Sequence, residues 1–159
     1  ATIMFGHIDD IDSWVNHFSL IKNIQLKTGG FTEVVPLPFV HMGSPIYLQG
    51  KSMSGPTWDE VVLIHSLARI YFSNVINNIQ ASWVKLGHDG AGKLLNAGVN
   101  DLGGTLINEN ISRASGADHG QETTSQQFID LIENCNKTPI LRNTLYTEFK
   151  NPKTLIQYS

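Results

Sequence analysis

The side chains able to move protons, orient polar groups or hold a metal fall in short clusters that follow apolar runs. His7 and Asp9 follow Thr2–Phe5, and His41 follows Phe31–Phe39. Gln80 and Ser82 share one face of Ile79–Val84, while Asn100, Asp101, Thr105, Glu109 and Asn110 surround a fourth short run. Imidazoles and carboxylates at such places can serve as general acids and bases, and amides can orient a polar substrate. The competing reading is that loops are polar anyway and that Asp9 or Asp101 merely caps a helix, or that Asp101 and Glu109 accept from backbone N–H groups. The six histidines form no H-E-x-x-H pattern and no C-x-x-C is present, so no metal site is expected within the chain. His17 and His65 fall inside helical patterns and read as structural. Gly87-His88-Asp89-Gly90-Ala91-Gly92-Lys93 spells G-x-x-x-x-G-K, but Leu94 stands where a phosphate loop carries Ser or Thr for magnesium. Its glycines are read instead as letting a helix begin close to its strand.

These clusters need a frame, and the apolar patterning supplies one. Thr2–Phe5 reads as a buried strand, and Asp10 is the N-cap of a helix with Asp12 in its first turn. Ile11, Trp14, Val15, Phe18 and Ile21 give that helix one apolar face, and Gly29-Gly30 stops it. Phe31–Phe39 is apolar at nearly every position, as a parallel strand covered on both faces should be. Glu33 interrupts it, and a carboxylate there must meet a cation or ligand or lie near a solvated base; its place at the strand's N-terminal end favours the base. A long connection, His41 to Pro56, precedes Thr57-Trp58-Asp59-Glu60, a capping box that opens a helix to about Phe72. Val61, Ile64, Ala68 and Tyr71 form its face, widened by Leu63, Leu67 and Ile70. Ile79–Val84 is a third strand, Gly87–Ala97 its helix and Gly98 the stop. Asn100–Leu106 holds a fourth strand, and Thr124-x-x-Gln127 opens a last helix with Phe128, Leu131, Ile132 and Cys135 on one face.

Four strand–helix units predict an α/β fold with a parallel sheet. A closed (β/α) barrel has eight such units, so four make half of one, spanning residues 1–149 with a polar tail at 150–159. In such a barrel the chemistry sits at the C-terminal strand ends, where the polar clusters lie. Half a barrel would leave free edges at Thr2–Phe5 and around Asp101–Leu106, so a complementary N-terminal half or self-association is expected. A small doubly wound sheet is the alternative, and it would need a nucleotide site at its switch point.

The chain has 159 residues, 41% hydrophobic and 16% charged, with net charge −3. That supports one globular unit and gives no basic footprint for nucleic acid. No apolar run approaches the ~20 residues of a membrane span, and no basic leader precedes Thr2, so a cytoplasmic location is expected. The start within an apolar strand points to a partial chain. Cys135 is the only cysteine.

The segments TIMFGHID, KTGGFTEVVPLPFVH, NIQASWVKLG, NAGVNDLGGTLINENISRASGADHG and LRNTLY resemble, in order, the radical S-adenosylmethionine subunit of FO synthase. The menaquinone-pathway enzymes aminofutalosine synthase and dehypoxanthine futalosine cyclase carry similar patterns, but VVPLPFVH and NIQASWVKLG look nearer to the FO synthase subunit. The resemblance implies the C-terminal half of a radical S-adenosylmethionine TIM-type barrel. It implies cleavage of S-adenosylmethionine at a 4Fe–4S cluster and transfer of the 4-hydroxybenzyl group of L-tyrosine to 5-amino-6-(D-ribitylamino)uracil, in deazaflavin (FO, coenzyme F420 precursor) synthesis. A second FO synthase subunit would then close the ring.

Residue by residue, the resemblance implies that Gly6, His7 and Asp9 face the adenosyl group, with Gly6 allowing close backbone approach. Phe39, His41, Gln80 and Asn110 fall on the substrate side, with Asp101 and Glu109 as catalytic candidates at the end of the fourth strand. Asp9 stands where such sequences usually carry Glu, and Gly43 where an acidic residue is common. The C-x-x-x-C-x-x-C motif is absent, so the cluster belongs to the complete enzyme and this chain alone is expected to be inactive. Two other readings stay open: a menaquinone-pathway radical enzyme, and a non-catalytic half-barrel that binds a ligand or partner.

Overall fold

A computed structural model describes residues 1–105 and 123–152. Strand β1 (Thr2–Phe5) leads into helix α1 (Ile11–Thr28), then β2 (Val35–Pro38), the single turn α2 (Pro45–Leu48) and helix α3 (Trp58–Tyr71). Helices α4 (Trp83–Leu94) and α5 (Ser125–Asn134) follow, and a two-residue hairpin of β3 (Leu141–Arg142) and β4 (Phe149–Lys150) comes last. Lys150, expected in the polar tail, pairs with Leu141 in that hairpin.

β1 and β2 pair in parallel, from Thr2 opposite Val35 to Phe5 opposite Pro38. The ladder continues through two parallel bridges, Val34 with Ile79 and Gln80 with Asp101. Four parallel segments therefore neighbour one another in sequence order, with no reversal among them. Alternation then sorts the side chains. Ile3, Phe5, Val34 and Ile79 are buried on the face that carries the helices. Thr2, Met4, Glu33, Val35, Leu37, Gln80 and Asp101 fall by parity on the opposite face. Met4 is half-exposed there.

Capping follows the sequence closely. The Asp10 carboxylate accepts from the Ser13 amide at 2.8 Å, and Gly29 ends α1 with φ 62°. Both capping boxes, Thr57 with Glu60 and Thr124 with Gln127, are formed. The buried stripes are narrower than periodicity implies. On α1 only Trp14, Phe18 and Ile21 are buried, leaving Ile11 and Val15 exposed. On α3, Val61, Ile64, His65 and Ala68 are buried, whereas Leu63, Leu67 and Ile70 face out. On α5 the buried centre is Ile129. Each fully buried side chain such as Phe5, Ile64 or Phe72 contributes about 2 kcal/mol by leaving water.

The strands are shorter than expected. Phe31 lies outside β2 because its amide donates to the Gln25 side chain at 2.7 Å rather than to a neighbouring strand. The third segment pairs only at Ile79–Ala81, the Ala81 amide donating to the Asp101 carbonyl at 2.9 Å. Its alternating apolar residues continue into a helix instead: Trp83 and Val84 bury themselves in the first turn of α4, and the Trp83 ring meets Phe128 edge-on at 5.8 Å. In the fourth segment only Asp101 pairs, and Leu106 lies outside the described residues.

The G-x-x-x-x-G-K stretch is not a phosphate loop. Gly87 (φ 67°, ψ 175°) is a kink within α4, and Lys93 pairs with Asp89 one turn earlier at 2.6 Å. Gly87 marks the entry to the helical run after the kink, while Gly92 serves packing: a Cβ on it would lie 2.9 Å from Leu131 Cδ1 of α5.

Candidate functional site

The turn after β1 is built around one carboxylate. Asp9 Oδ2 accepts from the Gly6 amide at 3.0 Å, and Oδ1 accepts from the His7 amide at 2.8 Å. The Trp14 indole N–H, from the first turns of α1, also donates to Oδ2. The His7 ring nitrogen Nδ1 lies 2.9 Å from Oδ1. Burial pushes the Asp9 carboxyl up, but the indole and the two amides outweigh it and hold the group below the usual carboxylate range. Asp9 is thus a fixed anion that organises the turn.

Phe39 and His41 come to the same end of the sheet. The Phe39 amide donates to the Phe5 carbonyl at 2.9 Å, joining the ends of β1 and β2. The His7 and Phe39 rings meet edge-on at 5.8 Å, and His41 stacks edge-on with Tyr47 at 4.5 Å. Residues 53–56 cross this end: the Met53 amide donates to the His7 carbonyl at 2.7 Å. Gly6 has φ 83°, and a Cβ on it would lie 2.4 Å from Pro56 Cδ. The close approach that glycine permits at position 6 is therefore taken by Pro56. Gly55 lets the same segment pass the Phe39 carbonyl, where a Cβ would come within 2.7 Å.

Gln80 and Asp101 form a second group. They are paired across the third and fourth segments, and Gln80 Nε2 lies 2.9 Å from where a Cβ on Gly103 would sit. Asp101 is 8% exposed. Its Oδ1 accepts from the Gly103 amide at 2.6 Å and from Arg142 Nη2 at 2.9 Å. Its Oδ2 accepts from Arg142 Nε at 2.6 Å and from the Tyr146 hydroxyl at 2.8 Å. Tyr146 also reaches Glu33 Oε2 at 2.7 Å, and Arg142 Nη2 lies 3.4 Å from the same oxygen. Hydrogen bonding to Asp101 raises the Arg142 pKa above its ordinary value, against the opposing effect of burial. Burial, reinforced by hydrogen bonds to Glu33 and Asp101, raises that of Tyr146. Both stay protonated at neutral pH. Glu33 thus meets a cation after all.

Arg142 and Tyr146 escaped the reading of site residues, although they lie in the segment LRNTLY. The available signal was Glu33, an acid in an apolar strand that demanded a donor. Glu109 and Asn110 lie outside the described residues. The lone thiol, Cys135, donates to the Gly92 carbonyl at 3.4 Å between α4 and α5. One half-buried thiol in a helix interface does not fit a 4Fe–4S cluster, which takes several thiolates. Beside this clasp of Arg142 and Tyr146 on Asp101 and Glu33, a cavity of about 920 Å³ is walled by Leu95, Leu102, Phe128 and Ile132 and edged by Asp101 and Arg142.

Comparison with known proteins places this geometry. The chain is 48% identical over 150 residues to the 5-amino-6-(D-ribitylamino)uracil–L-tyrosine 4-hydroxyphenyl transferase of Methanopyrus kandleri, covering 94% of the chain and 41% of that protein. The transferase of the same name from Methanothermobacter thermautotrophicus is 45% identical over 95% of the chain and 41% of its own length. The FO synthase of Mycobacterium leprae is 47% identical over 92% of the chain and 17% of its own length. The chain spans well under half of each of these relatives. A family described as the CofH/MqnC C-terminal region matches residues 28–155, and the chain belongs to that family.

Proposed function

We propose that this chain forms the C-terminal half of a (β/α) barrel in a radical S-adenosylmethionine enzyme that transfers the 4-hydroxybenzyl group of L-tyrosine to 5-amino-6-(D-ribitylamino)uracil, on the way to the deazaflavin FO. The observation that carries this reading is the near-complete match, at 48% identity, to a protein whose name states that transfer. The order of the four parallel segments supports the half-barrel, since a barrel adds strands in sequence. The family description also covers the menaquinone-pathway branch, but the named relatives favour the transferase.

Within this reading, the Gly6–Asp9 turn lines the side of the cleft that takes the adenosyl group, its backbone fixed by Asp9. Phe39, His41 and Gln80, with Glu109 and Asn110, line the substrate side. S-adenosylmethionine and a 4Fe–4S cluster would supply the radical chemistry, and the cluster thiolates come from outside this segment. The partner that completes the site is the preceding half-barrel, which would cover the face carrying Met4 and Leu37. A second subunit would take the product on. The reading carries a cytoplasmic location with it, and among the described residues no helix is long and apolar enough to cross a membrane.

The test is an anaerobic assay of the complete protein with S-adenosylmethionine, L-tyrosine and the aminouracil. Formation of the 4-hydroxybenzyl adduct, detected by mass, supports the reading. Turnover of futalosine-type substrates with no adduct would move the protein to the menaquinone branch.

A further inference from the structure

We propose that Arg142 and Tyr146, in the C-terminal hairpin, are positioning residues that act through Asp101 to set the turn Leu102–Gly104, which leads out of the fourth strand segment. The inference rests on the function proposed above for its substrate side, but the geometry stands by itself.

Asp101 was singled out by the sequence as a catalytic candidate. A carboxylate has about four lone-pair positions; three N–H donors use three of them, and the Tyr146 hydroxyl, whose single proton is shared with Glu33, faces the fourth. Its lone pairs are engaged mainly by the backbone and the hairpin rather than directed at a reacting group. What the carboxylate can transmit is geometry, because one of its donors is the Gly103 amide itself. Gly103 has φ 75°, and a Cβ there would strike Gln80, so the turn is close-fitting as well as hydrogen-bonded. The next residue is held too: the Trp83 indole donates to the Gly104 carbonyl at 3.2 Å.

The other end of the device is fixed more firmly than an ordinary surface pair. Arg142 meets Asp101 with two nitrogens, and its guanidinium carbon lies 4.2 Å from the centre of the Tyr146 ring. Edge and face of the guanidinium are both engaged, which a lysine could not reproduce. The Tyr146 hydroxyl bridges Asp101 of the fourth segment and Glu33 beside β2. Tyr146 does this from φ 56°, a backbone conformation disfavoured for a residue with a Cβ. The hairpin is thus anchored on the face of the sheet opposite the helices, across the third segment. Loss of either anchor frees the Asp101 carboxylate to rotate, and the turn loses its acceptor.

The test uses the complete enzyme with Arg142→Lys and Tyr146→Phe, the second preserving ring shape where the first impairs folding. Hydrogen-exchange mass spectrometry should show peptides covering 101–105 exchanging about tenfold faster, while those covering 61–72 stay as in wild type. In turnover, the variants should cleave S-adenosylmethionine while releasing about threefold or more 5′-deoxyadenosine per adduct, with KM for the aminouracil rising more than kcat falls. A merely structural role would lower cleavage and adduct together and leave that ratio unchanged. Wild-type exchange at 101–105 in both variants, or a wild-type ratio in both, would overturn the proposal. A wild-type enzyme that forms no adduct would refute the proposed function, and the exchange measurement would still judge the clasp.

Discussion

His65 gives the clearest test of how burial governs this segment. It lies on α3 with no exposed surface, its ring 6.4 Å from that of Phe5. Nδ1 contacts the Val61 carbonyl at 2.7 Å, so the proton sits there, and Nε2 is buried with no hydrogen-bond partner among the described residues. Burial lowers the pKa from 6.5 to about 4, against a smaller opposing effect of the Val61 carbonyl. The sign follows from linkage. Between about pH 6.5 and 4 the unfolded chain binds a proton that the folded chain refuses, so stability falls as pH falls. The fall from 6.5 to about 4 corresponds to roughly 3 kcal/mol by pH 4, with little change above pH 7. The perturbation is His65→Leu, which removes both the titration and the orphan nitrogen. At pH 7 the variant should lie within ~1 kcal/mol of wild type. Urea unfolding of both at half-unit steps from pH 7.5 to 4.5 would measure the difference, in which the titration of shared carboxylates cancels. The variant should gain on wild type steadily below pH 6.5. A difference that stays flat across that range would refute the burial argument.

Three further outcomes follow from the geometry. Asp101→Asn leaves the half-buried Arg142 only its longer contact with Glu33 and should cost about 3 kcal/mol, read as a lower thermal midpoint of the complete protein. Gly6→Ala should destabilise by ~2 kcal/mol or more, because of its φ of 83° and the Pro56 contact, whereas Gly104→Ala, which meets nothing among the described residues, should stay within ~0.5 kcal/mol. Anaerobic reconstitution of residues 1–159 with iron and sulfide should give no stoichiometric 4Fe–4S absorption, and one cluster per chain would contradict the thiol argument.

Helix ends were the most legible part of the sequence, because caps are local chemistry. Asp10, Thr57 and Thr124 each bind an amide three residues on, whatever the rest of the chain does. Strand lengths were less legible, since pairing depends on neighbours. Gln25 captures the Phe31 amide from six residues away, and Trp83 turns into a helix because α5 presents Phe128 to it. The turn around His7, Asp9, Phe39 and His41 could be read because its members lie at strand ends. The clasp could not: Glu33 and Tyr146 are 113 residues apart, and only the fold places a phenol beside that carboxylate.

The two polar groups differ in what their carboxylates leave available, and that difference separates positioning from chemistry. Asp9 and Asp101 are both spent on holding backbone. Asp9 fixes the amides of Gly6 and His7, and Asp101 fixes that of Gly103. Asp9 follows the C-terminal end of β1, whereas Asp101 lies level, through Gln80 and Val35, with Thr2 at the start of β1; each is tied to a bulky donor from another element, Trp14 for one and Arg142 with Tyr146 for the other. Both acids act on the chain itself. Radical transfer needs reacting groups held in register more than it needs a strong base, since the bond-breaking is done by the cofactor. Under the function proposed above, this segment would contribute rigid turns and aromatic walls, with the thiolates supplied elsewhere.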